Sequence, residues 1–218
     1  MFSCNVNQRN KRLEEYCDGR VILPLIQRDD KGRRGALIQF KHINVETINY
    51  TDLYSLSYEI GFCLLENEET QIAGLFLIVD FSGKLSLSLL SRFSVLEFKE
   101  MAESVTDSLA GRFKSLFLIN VPPAAQFLVE ILKLVFSKKH QDRIFVLKDH
   151  DEFKQHFDIK IMPKELGGEI PEAKMIDEFH GIMEQNEEAL KLRYNFEIDL
   201  AEMSKFEKPG SFRTLNID

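Results

Sequence analysis

AGLFLIVDFSG, Ala73 to Gly83, sets five apolar residues, Leu75 to Val79, between a glycine and an acidic turn. A strand that is apolar on both faces is covered on both faces, as in parallel sheets flanked by helices; half-exposed antiparallel strands alternate apolar and polar residues instead. The stretch therefore predicts a central, buried strand in an α/β domain with a mostly parallel sheet. Asp80 and Ser82 gather polar chemistry at its carboxyl end, where open α/β sheets bind their ligands.

Working outward, Leu53, Leu56, Ile60, Cys63 and Leu64 recur at helical spacing, which predicts an amphipathic helix N-capped at Thr51-Asp52 and ended by the acidic run Glu66 to Glu69. Upstream, Val21 to Ile26 is apolar around Pro24, RDDKGR at Arg28 to Arg33 has turn chemistry, and Arg34 to Phe40 reads as a strand. A helical pattern through Phe93, Leu96, Met101 and Val105 ends near Ala110-Gly111. A second apolar strand, KSLFLINV, follows at Lys114 to Val121 and stops at Pro122-Pro123. Beyond it come a helix at Ala124 to Phe136, a strand at Arg143 to Leu147, a short helix at His150 to Phe157, a turn at Met162 to Gly168 and an amphipathic helix at Lys174 to Arg193 with Ile176, Phe179 and Met183 on one face. The order is β-α-β-α-β-α-β.

The 218 residues, 44% hydrophobic, suffice for one main core. A net charge of -7 argues against a general nucleic-acid binder, which carries a basic excess. Cys4, Cys17 and Cys63 match no zinc or redox spacing, and no apolar run approaches the roughly 20 residues that cross a bilayer. The amino terminus lacks a basic-then-apolar leader, so the expectation is a cytoplasmic protein that meets membranes peripherally.

Signatures of catalysis are missing: no G-x-G-x-x-G, no Walker loop, no G-x-S-x-G and no H-E-x-x-H. His150 and His156, six residues apart, fall on different helical faces and make a poor metal pair. Asp80 and Asp107 are open to two readings, an acid/base pair or, for Asp80, a strand end making turn hydrogen bonds. The expectation is a non-enzyme with no catalytic residue, no metal and no cofactor, holding a bound hydrophobic ligand.

AAQFLVEILKLVF, Ala124 to Phe136, is interrupted only by Gln126, Glu130 and Lys133, and a helix this apolar needs cover on every side. Leu128, Leu132, Val135 and Phe136 share one face; Phe127, Ile131 and Leu134 share a neighbouring one. The helix is either core or a lid with one face on a lipid-sized cavity and the other on a membrane. The basic cluster Lys138-Lys139 with Arg143 follows at once, as contact with an anionic membrane requires, and Arg112 and Lys114 can extend it.

Four ordered motifs, GLFLIVDFSG at Gly74 to Gly83, TDSLAGRFKSLFLINVPP at Thr106 to Pro123, FSKKHQDRI at Phe136 to Ile144 and MPKELGGEI at Met162 to Ile170, resemble the CRAL-TRIO lipid-binding family, which includes retinaldehyde-binding, α-tocopherol-transfer and phosphatidylinositol-transfer proteins. The closing GSFRTLNID at Gly210 to Asp218 is similar to the tail of insect members. The resemblance implies a sheet flooring a hydrophobic cavity, with a mobile gate helix over it from Ala124 to about Gln141. By correspondence the cavity is lined by Leu75, Val79 and Leu116 from strands, with Leu77 added by alternation, and by Val105 and Leu109 from a helix; Arg112, Lys139 and Arg143 fall where family members contact a phosphoinositide head group.

Three departures stand out. The family has a helical bundle before the sheet domain, of which the expectation here is only a lead-in helix at residues 1–20, as in a truncated isoform, a fragment or a lineage that lost the bundle; a lipid-binding domain at 21–170 and a carboxyl-terminal helix and tail at 171–218 are expected after it. The gate's usual lysine-proline pair is Lys133-Leu134, implying a straighter gate, and the usual Pro-Leu before the strand is Ala110-Gly111. The expected function is binding a small hydrophobic ligand (retinoid, tocopherol, terpenoid or phospholipid) and exchanging it at anionic or phosphoinositide-containing membranes, with no nucleic-acid partner. The alternative is a phosphoinositide-sensing membrane adaptor with a vestigial cavity.

Overall fold

Five strands form one sheet in sequence order: β1 (Ile22–Pro24), β2 (Arg34–Gln39), β3 (Leu75–Asp80), β4 (Phe113–Ile119) and β5 (Ile144–Leu147). The computed structural model describes residues 20–43, 50–83, 96–97, 113–136, 138–148 and 150–194; within these, the side chains at 50–53, 124, 128, 132, 135, 139, 150–151 and 193–194 lie outside the description. β2 to β5 are mutually parallel, and β1 alone is antiparallel to β2. β3 holds the centre, Leu75 lying opposite Arg34 and Phe113, and Asp80 opposite Gln39 and Ile119. The apolar run at Val21 to Ile26 supplies the short edge strand, where Pro24 is tolerated because an edge leaves one side of the backbone free of ladder bonds.

The loop joining β1 to β2 is built around Asp29, which accepts from the backbone N–H groups of Lys31 at 3.0 Å and Arg33 at 2.8 Å. Its other oxygen pairs with Arg33 Nε at 2.5 Å, both side chains being almost wholly buried. The Arg33 guanidinium also lies 5.4 Å from the centre of the Phe76 ring, so the buried cation meets a carboxylate and a π face rather than bare hydrocarbon.

Between β2 and β3 lie α1 (Tyr50–Leu65) and α2 (Glu68–Ala73). Thr51 and Asp52 lie within α1, which already includes Tyr50, so the expected N-cap is corrected: the apolar stripe under the helix outweighs the modest helix propensity of those two residues. The acidic run after α1 does not end the helical region. Asn67 caps α2 by accepting from Thr70 N at 3.1 Å, and Gly74, at a φ of 98° that favours glycine, closes it with an N–H bond to Thr70 O and turns the chain into β3.

After β4, a turn of 3₁₀ helix at Pro123–Ala125 leads into α3 (Gln126–Val135) and then α4 (Lys138–Gln141), which precedes β5. α5 (His150–Lys154), two 3₁₀ turns and α6 (Glu172–Gln185) follow. The helical pattern expected from Lys174 to Arg193 is interrupted at Asn186, whose N–H caps α6 by bonding Ile182 O. The chain divides there into two units, Met1–Asn186 and Glu187–Asp218, and α7 (Glu187–Tyr194) belongs to the second.

The sheet's two faces differ. On one, Leu37, Phe76, Ile78, Phe117, Ile119 and Leu147 are buried beneath Phe153, Phe157, Ile161, Met162 and Ile170, with Phe117 and Phe157 edge to face at 5.3 Å. The turn at Met162 to Gly168 packs on this face, its Pro163 bridging to Ile170. On the other face, α1 covers the β1 to β3 side with Leu56, Ile60 and Leu64, and α3 covers the β4 side with Val129.

Candidate ligand-binding site

The second face is where the expected floor residues converge, because alternation along β3 points Leu75, Leu77 and Val79 to the same side. Leu75 and Leu116 are buried in it, whereas Leu77 and Val79 are half-buried, together with Ile38 on β2 and Ile144 and Val146 on β5. Hydrocarbon at the centre of this face is thus half-buried, whereas Phe76, Ile78 and Phe117 at the centre of the opposite face are wholly buried. Phe40 and Phe81 stack at 4.8 Å at the carboxyl end of this floor, and Leu77 packs against the apolar clusters of both covering helices.

α3 lies over the floor through Val129, with Ala125 just before the helix and Phe136 just after it, all at least nine-tenths buried. Of the two covers expected for this apolar helix, burial in the core on every side is corrected: Phe127 is 46% exposed and Leu134 83% exposed, with Ile131 half-buried between them. These three fall at i, i+4 and i+7 and form an outward apolar stripe. The cause is geometric, since a helix lying on one sheet meets it along one side only. Of the lid residues expected to face the ligand, Phe136 is placed on the floor; the side chains of Leu128, Leu132 and Val135 lie outside the description, as do Val105 and Leu109 entirely.

Of the basic residues, Arg143 is half-buried and donates from Nη1 to Phe113 O at 2.6 Å, while its own carbonyl accepts from Leu116 N at 2.8 Å. This guanidinium therefore joins the entry of β5 to the entry of β4. Lys139 lies on α4, its side chain outside the description, and Arg112 lies outside the described residues. α4 is tied back to the end of α3 by Gln141 Nε2, which donates to Phe136 O at 2.9 Å.

Asp80 belongs to the turn. Wholly buried, it accepts from Ser82 N at 2.9 Å and Ser82 Oγ at 2.7 Å within the turn, and from Asn120 Nδ2 at 2.8 Å, the one of the three bonds that ties the carboxyl end of β3 to that of β4. Asp107, its conceivable partner, lies outside the described residues. Among the described residues no group of three or more His, Cys, Asp or Glu side chains is arranged to hold a metal.

Two hollows escaped the sequence reading. One is an apolar slot of about 40 Å³ between α1 and the floor, with Ser57, Ile60, Gly61 and Leu64 as its helical wall. Its signal in the sequence was a glycine inside the apolar stripe of a helix. The other, about 400 Å³, shares Leu64 with the slot and is bordered by Arg28, Arg34 and Glu178. Its guanidinium groups serve the fold: Arg28 Nη2 donates to Asn67 Oδ1 and Thr70 Oγ1 at 2.8 and 2.9 Å, and Arg34 pairs with Glu178 at 2.5 Å.

The fold and site together define an α/β domain whose sheet is fully buried at the centre of one face and carries a half-buried apolar floor on the other, beneath a helix. The chain belongs to the CRAL/TRIO domain family, whose model matches residues 19–168. It is similar to clavesin-1 of Rattus norvegicus, 28% identical over 151 residues that make up 67% of this chain and 42% of that protein. It is also similar to the alpha-tocopherol transfer protein-like protein of Mus musculus, 29% identical over 106 residues, 48% of this chain and 31% of that protein. The chain thus matches less than half the length of either relative. A solved structure of Sfh5 aligns with a TM-score of 0.45 and 11% identity, covering 68% of this chain and 54% of that one.

Proposed function

We propose that the chain binds one small hydrophobic ligand on the floor formed by Leu75, Leu77, Val79 and Leu116, beneath α3, and exchanges it at membranes. The observation that carries this reading is the asymmetry of the sheet, whose opposite face is filled by phenylalanines while the centre of this face stays half-buried. Family membership supports it. Transfer free energies explain what such a protein is for: at about 0.8 kcal/mol per methylene, a sixteen-carbon chain entering water costs about 13 kcal/mol, and an apolar floor under a movable helix avoids most of that cost. The outward stripe of Phe127, Ile131 and Leu134 and the basic run around Lys139 and Arg143 supply apolar and cationic contacts to a membrane surface. No described helix is long and apolar enough to cross a bilayer, and peripheral contact from the cytoplasm fits this reading.

Native mass spectrometry followed by solvent extraction tests it. A single stoichiometric lipid is expected; a protein that emerges empty and takes up neither retinoid, tocopherol nor phospholipid from vesicles overturns the carrier reading. The roles of Arg112, Lys139 and Arg143 at a phosphoinositide head group are tested separately. Joint replacement of Lys139 and Arg143 by Ala is expected to slow transfer to anionic vesicles while leaving ligand occupancy intact, and equal transfer rates count against a basic docking face. The small volume of the slot under α1 favours a second reading, a phosphoinositide-sensing adaptor with a vestigial cavity. Selective binding to phosphoinositide vesicles without any extractable ligand would support that reading instead.

A further inference from the structure

The slot under α1 adjoins the ligand floor, because Leu77 borders the slot and also packs against the cluster beneath α3. Ser57, Ile60, Gly61 and Leu64 lie within two turns on one helix face, and Ile38 and Leu77 form part of the wall below. Apart from the Ser57 hydroxyl the lining side chains are hydrocarbon, so a polar head group placed there would lose its hydrogen bonds to water without replacement. An apolar cavity of this kind stays dry and takes up apolar matter. About 40 Å³ is room for a few carbon atoms and too little for a fused ring system.

Gly61 is buried and borders the slot from the middle of the helical wall, where glycine is the least favourable helix residue after proline, so a side chain at this position competes for room beside the slot. We propose that the slot receives the distal end of an aliphatic chain of the carried lipid, and that Gly61 sets how far that chain runs. The ligand is then a chain-bearing lipid, and the protein measures chain length at α1 while its head lies toward α3. This rests on the carrier reading.

The test is binding of laurate, myristate, palmitate and stearate to the delipidated chain and to Gly61→Ala and Gly61→Leu. Each buried pair of methylenes strengthens binding by about fifteenfold, so the longest chains have most to lose. Gly61→Leu is expected to weaken stearate by about tenfold or more and to leave laurate within about twofold, with Gly61→Ala shifting the profile the same way by less. The alanine variant removes a helix-breaking residue and keeps the test open if the leucine variant does not fold. Equal loss at every chain length, or an unchanged profile in both variants, overturns the slot while the carrier reading stands. Failure of the wild-type chain to bind any of the four overturns the slot, and joined to an empty solvent extract it overturns the carrier reading too.

Discussion

His156 lies with its ring 4.6 Å from that of Phe145 and 5.2 Å from that of Phe117. Burial lowers its pKa below the usual 6.5, the charges of Lys31 and Arg33 lower it further, and Glu152 opposes them. The folded state therefore favours the neutral imidazole. As pH falls through 6.5 the unfolded chain takes up its proton first, so stability is expected to decline from there down to the lowered folded value and to level off below it. Denaturant midpoints measured across that range should slope in wild type and lose this component in His156→Phe; an unaltered slope would place the titration elsewhere. A second position is decided by space. A Cβ on Gly35 would come within 2.4 Å of a Phe76 ring carbon and 2.6 Å of Leu25 Cδ1, whereas at Gly181 nothing lies within 4 Å. Urea unfolding should show Gly35→Ala destabilised by about 1–3 kcal/mol and Gly181→Ala, in a helix interior, stabilised by up to about 1 kcal/mol. The reverse order would mean that the Phe76 ring yields more readily than the packing suggests.

Among the elements, α3 makes the sharpest prediction. Leu134 points outward and is 83% exposed, so Leu134→Glu should change thermal stability by no more than about 0.5 kcal/mol, yet reduce the rate of ligand transfer to vesicles by weakening apolar contact. A large loss of stability instead would mean that the stripe is core. The sequence concealed this orientation because a helix apolar nearly all round has no polar face to mark its outside; only tertiary placement over a single sheet decides which side is open. β3 and β4 were legible because residues buried on both faces leave no polar alternation, and α1 because its apolar stripe recurs at helical spacing. β1 was not read as a strand, being three residues around a proline whose pairing depends on the loop built by Asp29 and Arg33. α2 was hidden in an acidic run that resembled a helix end, although Asn67 three residues before Thr70 is a capping signal. Asp80 was readable as a turn group from Ser82 two residues on, but its bond to Asn120 needed β4 to be brought alongside. The slot had only a partial signal, since a glycine in a helix announces a space without saying what borders it.

At the scale of the whole molecule, the chain presents a net charge of -7 yet places its lysines at 138 and 139 immediately beyond the outward apolar stripe of α3. Membrane approach by such a chain depends on orientation, since the overall field repels an anionic surface while this one region is attracted, and added salt screens both. Ligand binding couples to folding in the same molecule. Hydrocarbon that fills the half-buried floor binds the folded chain and not the unfolded one, so free ligand at about one hundred times its dissociation constant should stabilise the fold by about 2.7 kcal/mol. For a chain of this size that is a rise in melting temperature of about 5–11 °C. The measurement is a thermal melt of the delipidated chain with and without saturating lipid, repeated with Gly61→Leu. Wild type should gain stability in proportion to chain length, and the variant should gain as much as wild type with the shortest chain and less with the longest. A chain whose melting temperature no lipid moves would leave the floor as ordinary core, and the partial exposure of Leu77 and Val79 would then have no ligand to account for it.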